Sequence, residues 1–157
     1  MKVKLKFLPN CLVDAETHEP LPLTRGTEGS AGIDIRAVIP EGYVTLEPNT
    51  PPLLIETGIA IHIQDPEVCA VLIPRSGLGH KQGLVLGNSV GLIDSDYQGE
   101  IKVSLMNRGS VQQVVHNGDR IAQLLFLPVI PVEFETVEDF NEETERNEQG
   151  FNSTGTV

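Results

Sequence analysis

Apolar and polar residues alternate along much of this chain. Val3, Leu5 and Phe7 are interleaved with lysines, and Ile59, Ile61 and Ile63 with Ala60 and His62. Ile101, Val103 and Leu105 alternate with Lys102, Ser104 and Met106, and Val132, Phe134 and Thr136 with Glu133, Glu135 and Val137. A period of two sends successive side chains to opposite faces, so each run predicts a half-buried β-strand. Two continuous apolar runs, 68–73 and 121–129, predict strands covered on both faces or lying at a subunit interface. Eleven prolines and fifteen glycines, with turn pairs such as Glu41-Gly42, Gln98-Gly99 and Asn117-Gly118, cut the chain into short pieces. Roughly ten or more short strands follow from these rules, which predicts an all-β sandwich or jelly roll. The one helical stretch expected is a short turn over 76–82, with Ser76 as its cap.

Length and composition narrow the class. The 157 residues suit one domain, and 39% apolar against 21% charged residues suit a packed core over a disordered chain. A net charge of −11 speaks against non-specific nucleic-acid binding, which needs a basic face to displace counterions. A phosphorylated ligand would need local arginines or lysines, a metal ion, or both. Cys11 and Cys69 form neither a CxxC pair nor a Cys/His ligand spacing, so no disulfide framework or structural zinc site is expected. No apolar run reaches signal-peptide or membrane-span length, so the expectation is a reduced, cytoplasmic protein without a membrane partner.

Familiar nucleotide-binding signatures are missing. There is no GxxxxGK[ST], and the glycines at 77, 79 and 83 miss GxGxxG by one residue. What stands out instead is a series of polar, glycine-punctuated segments between apolar strands. They are SAGIDIR (30–36), PRSGLG (74–79), GNSVGLIDSDYQGEI (87–101), DRIAQ (119–123) and the stretch from Arg146 to Gly155. Each alone reads as a turn, a cap or a buried amide.

In order and wording, AGIDIRA, PRSGLG, GLIDSDYQGEI, RIAQL and RxxxGFxSTG resemble the five motifs of the homotrimeric dUTP pyrophosphatases. The run GHKQGLVLGNSVGLIDSDYQGEI resembles the bacterial members especially. The resemblance spans about residue 3 to the end. It implies a jelly-roll β subunit of the β-clip type, with a core over 1–140. A C-terminal arm over 141–157 would close the active site as a lid. It implies a trimer in which each active site draws on all three chains. The implied activity is Mg²⁺-dependent hydrolysis of dUTP to dUMP and diphosphate, which limits uracil incorporation into DNA and supplies dUMP for dTMP synthesis.

Residue roles follow from the same resemblance. Asp94 matches the aspartate that orients and activates the water attacking the α-phosphorus, as a carboxylate ionised at neutral pH can. Arg75 and Ser76 match the phosphate-binding pair, with Gly77 letting backbone N–H groups approach. Gln123 matches an amide that holds the phosphate chain or the water. Mg²⁺ would bind mainly through triphosphate oxygens and waters, with Asp34 as an outer carboxylate. Segment 83–101 resembles the β-hairpin that receives the pyrimidine. Asn88 there pairs with uracil, and backbone groups of Leu92, Ile93 and Asp94 contact base and sugar. Tyr97 matches the ring under the deoxyribose, which would exclude a 2′-hydroxyl. Lys102 lies where the family often places a substrate contact. In the fifth motif, Arg146 matches a phosphate ligand and Phe151 a ring stacked on uracil. Ser153, Thr154 and Gly155 match as well.

Asn147 and Asn152 stand where the family commonly has glycine, and asparagine tolerates positive φ better than most residues. Two other readings stay open from sequence. One is a dCTP deaminase, which needs a glutamate acid/base in the pocket hairpin, where Glu100 follows Gly99 only at the far side of the motif; the other is a non-catalytic nucleotide-binding protein that keeps the fold.

Overall fold

The computed structural model describes residues 1–140, 142, 144 and 147. Among them the fold is carried by eleven short strands: β1 (Lys4–Phe7), β2 (Ile33–Arg36), β3 (Tyr43–Leu46), β4 (Leu53–Ile55), β5 (Ile59–His62), β6 (Val68–Ile73), β7 (Leu84–Leu86), β8 (Gly91–Ile93), β9 (Val103–Asn107), β10 (Gln113–His116) and β11 (Arg120–Pro128). A four-stranded sheet runs β2-β11-β6-β8, and a three-stranded sheet runs β4-β9-β7. β1 pairs with β5, and β10 with β3. Every ladder is antiparallel. This is the expected all-β, jelly-roll-like subunit.

The core draws on every sheet, with Ile35, Ile55, Ile61, Leu72, Leu105, Val115, Ile121 and Leu124 in one buried cluster. In β9 the predicted alternation holds: Val103 and Leu105 are fully buried, while Ser104 and Met106 are half-buried. Asn107 ends that strand inside the core. Its amide donates to the carbonyls of Leu46 (2.9 Å) and Val111 (2.8 Å) and its oxygen accepts from Gly109 N–H (2.8 Å), so burial leaves none of it unpaired. In β5, Ala60 is buried along with Ile59 and Ile61, so this strand is covered on both faces rather than half-buried.

Four expectations need correction or sharpening. The alternating stretch 132–137 forms no strand: it pairs with no described strand, and Val132 and Phe134 are exposed. The helical stretch is a π-helical turn, Leu78–Gln82, closed by Gly83 at φ 71°, and no side chain caps it, Ser76 included. Segment 83–101 is not a hydrogen-bonded hairpin. β7 pairs with β9 and β8 with β6, so the segment passes from one sheet to the other. Finally, β11 carries a bulge between Arg120 and Ala122, which buries Ile121 and Ala122 in succession. Beyond it the register sets Gln123 opposite Asp34 on β2 and Ile73 on β6.

Candidate active site

The crossing from β7 to β8 builds one wall of a cleft. Gly87 presses onto the three-stranded sheet, where a Cβ would stand 2.2 Å from Pro52 and 2.9 Å from the Ser104 hydroxyl. The chain then turns with Ser89 at φ 63°, and Ser89 N–H donates to the Leu86 carbonyl at 3.1 Å. That leaves Asn88 exposed at the turn. Past β8, Tyr97 N–H donates to the Asp94 carbonyl (3.2 Å) and the Tyr97 hydroxyl to the Glu100 carbonyl (3.0 Å). The ring lies against Gly99, whose missing Cβ would meet the Tyr97 hydroxyl at 2.4 Å. Asn88, Leu92, Ile93, Asp94, Tyr97 and Lys102 thus line one cleft of about 370 Å³, with Leu54, Leu72, Gly91, Glu100 and Ile101. Asp94 is exposed in it.

Lys102 sits between two carboxylates at the cleft. Its ammonium donates to Glu56 at 2.9 Å and lies 3.5 Å from Glu100. The hydrogen bond to Glu56 raises the lysine above its ordinary value and holds the glutamate below its own. Glu100 is tied down further, accepting from the backbone N–H groups of Thr57 (3.3 Å) and Gly58 (2.9 Å).

A second polar group lies at the four-stranded sheet. Asp34 accepts from Arg75 Nε at 2.8 Å and from Arg120 Nη1 at 3.2 Å, and Arg75 Nη1 also donates to the Arg120 carbonyl at 3.2 Å. Asp34 and Arg75 side chains are each 27% exposed, so the pair keeps an open side. Gln123 is Asp34's neighbour across the β2–β11 ladder, and it packs over Gly32, where a Cβ would crowd its side chain at 3.3 Å. Ser76 is exposed, and a Cβ on Gly77 would meet nothing within 4 Å, so the backbone there is open to an approaching ligand.

The family model for dUTPase matches residues 20–155. The chain belongs to the dUTPase family. The deoxyuridine 5′-triphosphate nucleotidohydrolase of Tolumonas auensis is 52% identical over 155 residues, covering 98% of this chain and 97% of that one. The Haemophilus influenzae (strain PittEE) protein of the same name is 57% identical over 136 residues, covering 87% of each. Among solved structures, the Staphylococcus bacteriophage 80alpha dUTPase with dUpNHpp is similar at a TM-score of 0.77 and 26% identity, with 98% of each chain covered.

Against this dUTPase frame the residues anticipated from sequence divide into three. Asn88, Leu92, Ile93, Asp94, Tyr97 and Lys102 come together in the cleft. Arg75, Ser76, Gly77, Gln123 and Asp34 do not line it; Arg75, Asp34 and Gln123 gather at the β2–β11–β6 sheet. Arg146, Phe151, Ser153, Thr154 and Gly155 lie outside the described residues. Of the arm, Asn147 has φ 42°, the positive value its place in the motif suggested. Sequence reasoning missed Arg120 and Glu56. Arg120 stood inside the fourth motif without a role, and Glu56 carried no local signal, since its partner is 46 residues away. Among the described residues, no group of three or more His, Cys, Asp or Glu side chains could hold a metal. Nor is any described helix long and apolar enough to cross a membrane.

Proposed function

We propose that this dUTPase binds the uracil and deoxyribose of its substrate in the Asn88–Lys102 cleft and hydrolyses it at the α-phosphorus with water held by Asp94. The chain hydrolyses dUTP to dUMP and diphosphate, as its family does. The observation that carries the cleft assignment is the convergence of Asn88, Tyr97 and Asp94 on one cavity. Asn88 offers amide donor and acceptor to a pyrimidine edge. Tyr97, fixed by its hydroxyl and by Gly99, presents a ring face that crowds a 2′-substituent. The Asp94 carboxylate accepts a hydrogen bond from water and turns its lone pair to phosphorus. The new P–O bond forms as the bond to the β-phosphate oxygen breaks. Diphosphate leaves, and the water's proton passes through Asp94 to solvent.

Arg75, Ser76, Gly77 and Gln123 take the phosphates. Asp34 and Arg120 hold the Arg75 guanidinium, so its free edge is presented with little rotamer freedom to lose. Because this group does not line the nucleoside cleft, one subunit offers two partial sites. A trimer that sets the cleft of one copy against the Arg75 group of another supplies both. The exposed Ile130, Val132 and Phe134 offer apolar surface for such an assembly. Mg²⁺ would be held mainly by triphosphate oxygens and waters and would neutralise phosphate charge, with Asp34, already paired to Arg75 and Arg120, available only as an outer carboxylate. The arm bearing Arg146 and Phe151 closes over the bound nucleotide.

Glu100 also separates this reading from a deaminase. Its carboxylate is engaged by two backbone amides and Lys102, which leaves it a structural acceptor and not a free acid/base. Diphosphate release measured in parallel on dUTP, UTP, dTTP and dCTP, with and without Mg²⁺, tests the proposal. Release confined to dUTP and stimulated by Mg²⁺ is expected. Ammonia from dCTP, or equal turnover of UTP, would overturn it.

A further inference from the structure

Glu56 lies beside the nucleoside cleft and has no role in the scheme above. It stands in the three-residue connection between β4 and β5, and its two oxygens face different partners. One accepts from Lys102 Nζ at 2.9 Å, the other from the Asn10 amide at 2.9 Å. The next two residues, Thr57 and Gly58, give their N–H groups to Glu100, which flanks the same lysine at 3.5 Å. One short connection therefore anchors both carboxylates that grip Lys102. The lysine in turn lines the cavity with Asn88 and Tyr97, away from Arg75 and Gln123.

Charge and valence decide what such a lysine can do. An ammonium has three protons. Glu56 takes one and Glu100 a second at longer range, which leaves one for a ligand. Two carboxylates on one ammonium sum to a negative group, so a phosphate arriving there meets repulsion that cancels the lysine's attraction. A neutral acceptor, such as a sugar hydroxyl or a pyrimidine carbonyl, takes the remaining proton without that opposition. Both carboxylates are fixed to backbone or to another element, so the ammonium is held in place before the ligand arrives and loses little freedom on binding.

We infer that Glu56 is a positioning residue which, with Glu100, fixes Lys102 to read neutral oxygens of the nucleoside and not the phosphate chain. This rests on the cleft being the nucleoside site. The test is titration calorimetry of dUMP, dUDP and dUpNHpp against wild type, Lys102→Ala, Glu56→Gln, the double variant and Glu56→Asp, together with steady-state kinetics on dUTP. Lys102→Ala should weaken all three ligands by the same factor, roughly tenfold for one hydrogen bond to a charged donor. Glu56→Gln should lose about 3- to 10-fold uniformly, raise KM more than it lowers kcat, and add nothing to Lys102→Ala. Glu56→Asp should recover part of the loss. A loss that grows with phosphate number, or wild-type affinities in Glu56→Gln, would overturn the inference. Tight nucleotide binding that survives Asn88→Ala and Lys102→Ala together would instead remove the cleft reading itself.

Discussion

At the scale of single residues the account turns on where carboxylates have partners and where they do not. Asp34, Glu56 and Glu100 are each held by donors, whereas Asp94 stands exposed in the cleft. In the proposed scheme that contrast suits Asp94 to hold the attacking water, while the other three hold neighbouring cationic side chains. Asp94→Asn keeps shape and polarity but gives up the proton acceptor. It should bind dUpNHpp within a few-fold of wild type and lower kcat on dUTP by about 10²- to 10⁴-fold; turnover at the wild-type rate would refute the assignment. Gly99 acts through Tyr97. Its substitution by alanine puts a methyl carbon 2.4 Å from the tyrosine hydroxyl, so the ring must move. Gly99→Ala should therefore cut the preference for dUTP over UTP by roughly tenfold or more, read as the ratio of kcat/KM values. Unaltered selectivity would show that the ring does not gate the sugar.

Strands explain which parts of the site could be read in advance. Runs with period two or unbroken apolar character became β5, β6, β9 and β11, and in β9 the pattern also stated which face is buried, whereas β5 is covered on both faces despite its alternation. Stretch 132–137 has the same pattern and forms no strand, since alternation reports a preference for pairing and not the presence of a partner. The hairpin expected at Asn88 came from the family resemblance and not from the local pattern. Only long-range pairing, β7 to β9 and β8 to β6, shows that the crossing there joins two sheets. The bulge that sets Gln123 opposite Asp34 is likewise silent in sequence. β9 lies between β4 and β7 and supplies Leu105, fully buried, to the core. Leu105→Ala should cost about 2–5 kcal/mol in urea unfolding; a loss below about 1 kcal/mol would mean that this strand does not set the packing under the cleft.

Across the whole molecule, five ordered motifs named the family from sequence alone, yet they could not say how the residues are shared in space. The subunit gathers the proposed nucleoside contacts in one place and the arginine-centred group in another. Complementing partial sites in an assembly is the simplest way to unite them. In the proposed scheme the arm contributes Arg146 and Phe151. A chain truncated before Arg146 should still scatter light as a trimer, of subunits lighter than the full chain's 17.1 kDa, while its kcat/KM on dUTP falls by about two orders of magnitude or more. Full activity in the truncated chain would reduce the arm to an ornament of the core. The central claim is that water attacks the innermost phosphorus, and hydrolysis of dUTP in ¹⁸O-enriched water tests it most directly. Mass spectrometry of the products should place the heavy oxygen in dUMP and leave diphosphate unlabelled; label in the diphosphate would contradict the mechanism.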